Sequence, residues 1–133
     1  MKQISGLMFG LLALLTVGSP AAQTTYPSKP ILLIVPSAPG GQPDILSRLI
    51  ANELGKQMGK TVVVDNRAGA SGIVGFEAIA RAAPDGYTLG FAIAAIMINP
   101  SIFAKLPYDA ERDFQPVTQS HESANLLTIT PSL

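Results

Sequence analysis

The chain has 133 residues, enough for one domain, and its nine Lys and Arg residues balance nine Asp and Glu residues. This zero formal net charge and an aromatic content of 6% disfavour nucleic acid or an anionic membrane surface as a partner, because such partners favour a basic surface or stacking rings. The absence of cysteine excludes disulfides, thiolate metal sites and cysteine nucleophiles.

The N-terminus has the pattern of a secretory signal peptide. Lys2 precedes a mainly apolar stretch over residues 4–17, which is shorter than the about 20 residues of a bilayer-spanning helix. Small residues follow, and Ala21 is the predicted cleavage point. We expect residues 1–21 to be removed on export and residues 22–30 to form an extended lead-in. A buried helix or a membrane anchor is the alternative.

Strand and helix patterns alternate after this lead-in. Ile31–Val35 is a short apolar run, typical of a buried parallel strand. In residues 45–58 apolar side chains recur at steps of three and four, which indicates an amphipathic helix that begins near Asp44. The next predicted elements are a strand at residues 61–64, a helix at 73–82 and a strand at 88–92. This order predicts an α/β fold, an open and mostly parallel sheet with helices on both faces.

The pattern is weaker after residue 93. Asn99 and Pro100 predict a turn, with a short helix that ends near Phe103. Residues 115–118 and 126–130 predict two more strands.

Two glycine-rich turns follow the first two predicted strands, a first turn at residues 36–44 and a second turn at residues 65–72. Parallel strands place such turns at one edge of the sheet, where open α/β sheets bind ligands. Small residues let a ligand approach the backbone, and the N–H groups at a helix start favour anions. We therefore hypothesise that the two turns form half of a cradle for a small carboxylate. Tight turning without a ligand is the alternative.

A second reading concerns Gly69, Gly72 and Gly75, whose spacing also occurs in dinucleotide-binding turns. It predicts a small Rossmann-type oxidoreductase. Residues 65–68 separate the strand from these glycines, and an exported protein is not expected to meet cytosolic nicotinamide cofactors. An exported accessory or sensor-presenting protein is a further alternative.

Few residues suggest catalysis or metal binding. His121 lies in a polar stretch and is predicted to be a solvated loop residue. Asp109, Glu111 and Asp113 lack the glycine and the terminal glutamate of a calcium loop. Arg67 either pairs with a ligand carboxylate or forms a salt bridge. We therefore predict a protein that is not an enzyme and that has no cofactor and no metal.

Several motifs of the chain occur together in one known family. The motifs are Tyr-Pro-Ser-Lys-Pro-Ile at 26–31, Ile-Val-Pro at 34–36, Pro-Gly-Gly-x-x-Asp at 39–44, Val-Val-Asp-Asn-Arg-x-Gly-Ala-x-Gly at 63–72, Ala-Ala-Pro-Asp-Gly-Tyr-Thr-Leu at 82–89, Asn-Pro-Ser at 99–101, Leu-Pro-Tyr-Asp at 106–109, Asp-Phe-x-Pro-Val at 113–117 and Pro-Ser-Leu at 131–133. In order and spacing they resemble the Bug (TctC-like) receptors, the periplasmic solute-binding proteins of tripartite tricarboxylate transporters.

The resemblance implies a two-lobed periplasmic receptor for a small organic acid, a di- or tricarboxylate or a related compound. Its partners would be that acid and the membrane permease subunits, without nucleic acid and without stable membrane insertion. The implied ligand-binding residues are Ser37, Ala38, Gly40, Gly41 and Asp44 in the first turn and Gly69, Ala70, Ser71 and Gly72 in the second turn.

The resemblance also concerns the extent of the chain, which resembles an N-terminal fragment of such a receptor. Residues 31–125 would form an incomplete first lobe, and residues 126–133 would begin the crossover to a second lobe. We therefore expect weak or no binding by the chain alone.

Three single positions and one segment depart from the family pattern. Ser37 stands where an aromatic residue is frequent, Ala68 where proline is frequent and Ser71 where glycine is frequent. Residues 92–95 are apolar where relatives tend to have hydroxyl residues, which weakens the expectation of ligand hydrogen bonds from the third loop.

Overall fold

The computed structural model describes residues 26–122, which contain a parallel sheet of three strands. The strands are β1 (Ile31–Val35), β2 (Val62–Asn66) and β3 (Thr88–Gly90), in the order β2-β1-β3. In the register of the sheet, Val35 lies opposite Asn66 and Ile34 lies opposite Gly90. The strands that follow β1 in sequence therefore lie on either side of it, and all three end at one edge of the sheet.

Three α-helices connect or follow the strands: α1 (Gln42–Met58), α2 (Ile73–Ala80) and α3 (Ala95–Ile102). Helix α1 begins at Gln42, two residues before the predicted start near Asp44, because Pro43 is tolerated in a first helical turn. It ends at Gly59, whose φ of 64° is the left-handed conformation that glycine adopts readily at a helix C-terminus. Across residues 26–122 none of the helices combines the length and apolar character needed to cross a bilayer.

The helices α1 and α2 cover opposite faces of the sheet. On one face, Leu33 and Val35 pack with Ala51 of α1. On the other face, α2 lies so close to β3 that a Cβ atom at Gly90 would be 2.6 Å from Ile79 Cδ1. The predicted fold class, an open parallel sheet with helices on both faces, is therefore confirmed.

Two predictions beyond β3 are wrong. Asn99 and Pro100 lie inside α3 rather than in a turn, because the buried Asn99 side chain holds the helix against the second turn. Residues 115–118 form no strand in the described part of the chain, and Pro116 there has no N–H group for a sheet ladder. The predicted signal peptide at residues 1–21 and the predicted strand at 126–130 lie outside the described residues.

The opposite edge of the sheet is held by the residues that precede β1 and β3. Tyr26 donates a hydrogen bond to the Gly86 carbonyl at 2.7 Å, and the Tyr87 hydroxyl accepts one from the Ser28 N–H at 2.8 Å. Lys29 lies 3.3 Å from the Asp85 carboxylate and 4.3 Å from the centre of the Tyr87 ring. These contacts join residues 26–29 to residues 85–87 at the edge of the sheet opposite the glycine-rich turns.

Candidate functional site

The first and second turns lie at the same edge of the sheet, as the sequence predicts. Each follows the C-terminal end of its strand, and β1 and β2 are parallel neighbours. The backbone N–H of Arg67 donates to the Val35 carbonyl at 2.8 Å, so the pairing continues beyond the strands. The Phe91 N–H donates to the Ile34 carbonyl at 2.9 Å, which brings the third loop to the same edge.

The two turns touch through Pro36, Gly72 and Gly75. A Cβ atom at Gly75 would lie 2.7 Å from Pro36 Cα, and one at Gly72 would lie 3.3 Å from Pro36 Cβ. Only residues without side chains allow α2 to approach the first turn so closely. Packing therefore accounts for two of the three glycines that suggested a dinucleotide-binding turn.

Asp44 lies near the start of α1, and its carboxylate contacts neighbouring groups of the protein instead of solvent. The residue is 4% exposed, its Oδ2 atom accepts the Gly40 N–H at 2.8 Å, and its Oδ1 atom is 2.9 Å from Nε of Arg48. The hydrogen bond from the Gly40 N–H has the largest effect on the pKa of the Asp44 carboxyl, and the contact with Arg48 has the next largest. Both lower this pKa below its ordinary value. Asp44 is therefore ionised at neutral pH. Its contact with the Gly40 N–H holds the backbone of the first turn.

Hydrogen bonds through Arg48 and Asn66 connect Asp44 to the end of β2. Arg48 donates to the Asn66 Oδ1 atom at 3.1 Å, and Asn66 donates through Nδ2 to the Ser37 carbonyl at 3.3 Å. Neither residue is among the nine predicted ligand-binding residues. The spacing of Asp44 and Arg48, four residues apart on a helix, was the available signal for their ion pair.

The first turn presents backbone N–H groups to solvent at the start of α1. Ala38, Gly40 and Gly41 are exposed, and Gly41 precedes the helix without a side-chain cap. Within residues 26–122, the N–H groups of Ala38, Gly41 and Gln42 form no hydrogen bond with the protein. These donors lie where the dipole of a 17-residue helix favours an anion.

The second turn has an unusual backbone, with four consecutive residues at positive φ. The angles are 131° at Gly69, 46° at Ala70, 54° at Ser71 and 81° at Gly72. For Ala70 and Ser71 this left-handed conformation costs about 1–2 kcal/mol each. Such strain clusters at functional sites, where the surrounding structure maintains it.

The strained backbone of the second turn also exposes N–H groups. Gly69, Ala70 and Ser71 are solvent-exposed, and their N–H groups form no hydrogen bond within the described residues. The N–H of the buried Gly72 instead closes the turn on the Gly69 carbonyl at 2.9 Å. Successive free N–H groups in a tight turn form a concave anion-binding surface.

The other polar candidates have internal partners. Arg67 pairs with Asp65 at 2.8 Å, as the salt-bridge interpretation predicted. Asp109 accepts the N–H groups of Glu111 and Arg112 at 3.0 Å each, so it caps a local turn. Among the described residues, no group of three or more acidic or histidine side chains could hold a metal ion. His121 is exposed and stacks on Phe91 at 5.6 Å between ring centres.

Curated relatives share most of this chain but extend well beyond it. A UPF0065 protein of Bordetella bronchiseptica is 44% identical over 106 residues, 78% of this chain and 32% of the relative. Protein BugT of Bordetella pertussis is 38% identical over 119 residues, 88% of this chain and 36% of the relative. The chain thus spans about a third of the length of these relatives.

Solved structures share the fold over a similar part of the chain. A periplasmic transporter structure is 48% identical with a TM-score of 0.68, over 70% of this chain and 32% of that one. A Rhodopseudomonas palustris protein solved with adipate is 34% identical, TM-score 0.62, over 65% and 29%. MatC from Rhodopseudomonas palustris, solved with bound malate, is 36% identical, TM-score 0.60, over 69% and 32%.

The family assignment rests on a match that begins within α1, after the first turn, and includes the whole second turn. A profile described as "Tripartite tricarboxylate transporter family receptor" matches residues 46–132, well over half of the chain. The Bug name of one relative and a solved neighbour described as the periplasmic binding protein BugD agree with that match. The chain belongs to the TctC family, the receptors of tripartite tricarboxylate transporters.

Proposed function

We propose that this chain acts in a periplasmic solute-binding receptor and that its two turns bind one carboxylate group of a small organic acid. The single observation that carries the proposal is the pair of turns at one sheet edge with free, exposed backbone N–H groups. Backbone donors fixed in a rigid fold bind a carboxylate through charge-assisted hydrogen bonds. The binding is non-catalytic, and the ligand passes to the membrane permease subunits of the transporter.

The nine predicted ligand-binding residues divide into two roles. Five exposed residues of the two turns supply free N–H donors; they are Ala38, Gly41, Gly69, Ala70 and Ser71. Gly40 is also exposed, but its N–H group is used by the Asp44 carboxylate and helps to shape the first turn. Asp44 and Gly72 are buried and shape the first and second turns. The Ser37 hydroxyl oxygen is buried and has no hydrogen-bond partner in the described part of the chain, so a small shift of this side chain would be needed before it could donate to a carboxylate.

The charge of the site supports an anionic ligand. Asp44 is the acidic side chain of the first turn, and its charge is compensated by Gly40 N–H and Arg48. Asp65 in the second turn is paired with Arg67. An incoming carboxylate therefore meets outward N–H dipoles rather than an unpaired negative charge.

The proposed ligand class is a small dicarboxylate or a related di- or tricarboxylic acid. Two related proteins were solved with malate and with adipate, both dicarboxylates. The structures with adipate and with malate cover 65% and 69% of this chain, respectively. Backbone N–H groups bind a carboxylate whatever the rest of the acid molecule is. Export through the signal peptide predicted at residues 1–21 would place the receptor in the periplasm.

The test is a malate titration of the chain followed by amide resonances in NMR spectra. We expect malate to shift the resonances of Gly41, Gly69, Ala70 and Ser71, and we expect the dimethyl ester of malate to shift none of them. Shifts that are absent from both turns at saturating malate would overturn the proposal.

A matched pair of variants tests the backbone donor at the start of α1. Gln42→Pro removes the Gln42 N–H, and proline is compatible with the first position of a helix. Gln42→Ala removes the side chain and keeps the N–H. Loss of one hydrogen bond to a charged group predicts about tenfold weaker malate binding in Gln42→Pro and little change in Gln42→Ala.

A further inference from the structure

A buried amide side chain reaches the second turn from outside the nine predicted residues. Asn99 is 0% exposed and is the one buried residue of α3, a helix that the structure describes in full. Its Nδ2 atom donates to the Ser71 carbonyl at 3.1 Å and lies at the same distance from the Tyr108 hydroxyl oxygen. Both N–H bonds of the amide group are therefore used on acceptors.

The contact with Ser71 controls a rigid unit of the turn. A peptide group is planar, so the Ser71 carbonyl and the Gly72 N–H have fixed directions relative to one another. That N–H closes the turn on the Gly69 carbonyl at 2.9 Å. A donor that holds the Ser71 carbonyl thus also holds the hydrogen bond that closes the left-handed turn.

Only one of the two orientations of the Asn99 amide group places a donor next to the Ser71 carbonyl. If the amide were reversed, Oδ1 would face the Ser71 carbonyl, and two acceptors would meet in a buried place. In the observed orientation Oδ1 is buried and has no hydrogen-bond partner within residues 26–122. Asn99 therefore makes both donor contacts, to the second turn and to Tyr108, although its Oδ1 atom has no partner within residues 26–122. This arrangement favours a positioning role for Asn99 over simple filling of space.

We propose that Asn99 is the positioning residue of the carboxylate site, since it holds Ala70 and Ser71 in the left-handed conformation that exposes their N–H groups. This inference rests on the proposed function of the second turn. Asn99 does not contact the ligand; α3 acts on the site through the Ser71 carbonyl. Tyr108 supports the same amide from the loop after α3, where its ring packs on Phe76 at 5.5 Å.

Two variants separate the Ser71 contact from the Tyr108 contact. Asn99→Asp keeps the size of the side chain and can still accept from the Tyr108 hydroxyl, but its ionised carboxylate cannot donate to the Ser71 carbonyl, so the variant is measured at pH 8 as well as at pH 7. Tyr108→Phe keeps the ring in place and leaves the contact between Asn99 and Ser71. Only the first variant should open the turn.

The readout is hydrogen exchange of individual amides in the chain without ligand. We expect Asn99→Asp to speed exchange at Gly72 about tenfold relative to Ile31, whose N–H bonds to Thr61 in the sheet, and Tyr108→Phe to change that ratio less than about threefold. Malate should no longer shift the Ala70 and Ser71 resonances of Asn99→Asp. An unchanged ratio, or an equal rise at Gly72 and Ile31, would overturn the proposal.

The unmodified chain supplies a measurement that does not depend on the folding of any variant. The side-chain NH₂ protons of Asn99 should exchange at least about tenfold more slowly than those of the exposed Asn52. Equal rates would refute the positioning role. If malate shifts no turn resonance in the unmodified chain, the proposed function fails, whereas the exchange rates still decide whether Asn99 holds the turn.

Discussion

At the scale of single residues, charged side chains act on this site through the backbone. Asp44 and Arg48 do not extend into solvent as an isolated ion pair; they connect the Gly40 N–H to Asn66 and then to the Ser37 carbonyl. The first turn is thereby held at two backbone points. In the proposed site, the free N–H groups of this turn would therefore be held in place without a charged side chain that contacts the ligand.

The pKa of Asp44 predicts a pH-dependent contribution to stability. The Gly40 N–H and Arg48 lower the pKa in the folded state, so the contribution is present above the unfolded value of about 4 and is lost as the pH falls through the lower folded value. Thermal melts should show Asp44→Asn to be less stable than the unmodified chain at pH 7. The difference should shrink as the pH falls below about 4.

The control for this experiment is Glu53→Gln. Glu53 is 60% exposed and pairs with Lys56 at 3.2 Å, and exposed ion pairs contribute little. Its removal should change the melting temperature little at either pH. A difference between Asp44→Asn and the unmodified chain that is constant from pH 7 to pH 3 would contradict the role given to the Asp44 carboxylate.

The left-handed conformation of Ser71 predicts that glycine at this position stabilises the fold. Ser71 has a φ of 54° and an exposed side chain, so Ser71→Gly relieves strain without removing a buried contact. We expect a gain of about 1 kcal/mol in the free energy of unfolding, measured by denaturant titration. Ser101→Gly, in the exposed part of α3, is the matched control and should lose about 0.5–1 kcal/mol. Equal effects at the two positions would contradict the strain at Ser71.

The sequence indicated the glycine-rich turns but not the side chains that hold them. Small residues and helix starts are visible in a linear pattern, whereas Asn66, Arg48 and Asn99 act on residues that are 18 to 29 positions away, as in the contacts of Arg48 with Asn66, Asn99 with Ser71 and Asn66 with Ser37. Such pairs become evident only when the fold brings them together. The positive φ of Ala70 was equally hidden, because alanine carries no local preference for that conformation.

At the scale of elements, the packing of α2 against the first turn determines the distance between the two turns. Gly75→Ala would place a Cβ atom 2.7 Å from Pro36 Cα and 3.0 Å from the Arg67 carbonyl oxygen. Both are backbone atoms and cannot rotate away, so we expect a loss of about 1–3 kcal/mol in the free energy of unfolding. Denaturant titration measures this loss.

Gly41→Ala is the matched control for Gly75→Ala. Gly41 has an ordinary φ of −77°, and the nearest atoms to an added Cβ lie 3.7 Å away. Only the poorer capping by alanine remains, with a cost of about 0.5 kcal/mol. If Gly75→Ala were no more costly than Gly41→Ala, the close packing of α2 on Pro36 would be wrong.

The elements that the sequence predicted best are those with strong local patterns. Ile31–Val35 is a continuous apolar run, and its predicted bounds agree with β1. The bounds of β2 were displaced because Asp65 and Asn66 read as turn residues, although they pair with Ile34 and Val35 in the sheet. The predicted short helix that ends near Phe103 agrees with the end of α3, but a turn was expected at Asn99 and Pro100 because a proline there usually interrupts a helix. In these elements tertiary contacts outweigh the local pattern.

At the scale of the whole molecule, the described residues leave apolar side chains in contact with solvent. Met97 and Ile102 of α3 are 67% and 66% exposed, and Leu49 of α1 is 63% exposed. Val63 in β2, at one edge of the sheet, is 47% exposed. The relatives are about two and a half times as long as the chain, so they contain residues beyond the region that they share with it.

The open site also predicts how strongly this chain binds an acid. A helix terminus contributes about 0.3–1 kcal/mol to holding an anion, and each hydrogen bond to a charged group contributes about 1.5–3 kcal/mol. Desolvation and ordering offset much of that sum, while micromolar binding requires about 8 kcal/mol. Calorimetry or NMR titration should therefore give a dissociation constant for malate of about 1 mM or weaker.

A comparison of acids shows whether one carboxylate or two are recognised. The described residues offer a single pair of turns with free N–H groups, so one carboxylate of malate should bind while the other remains hydrated. Propionate, which has one carboxylate, should then bind within about threefold of malate, because a hydrated second carboxylate gains little on binding. A micromolar constant for malate, or a large preference for malate over propionate, would require a second anion-binding group and would contradict recognition by the two turns alone.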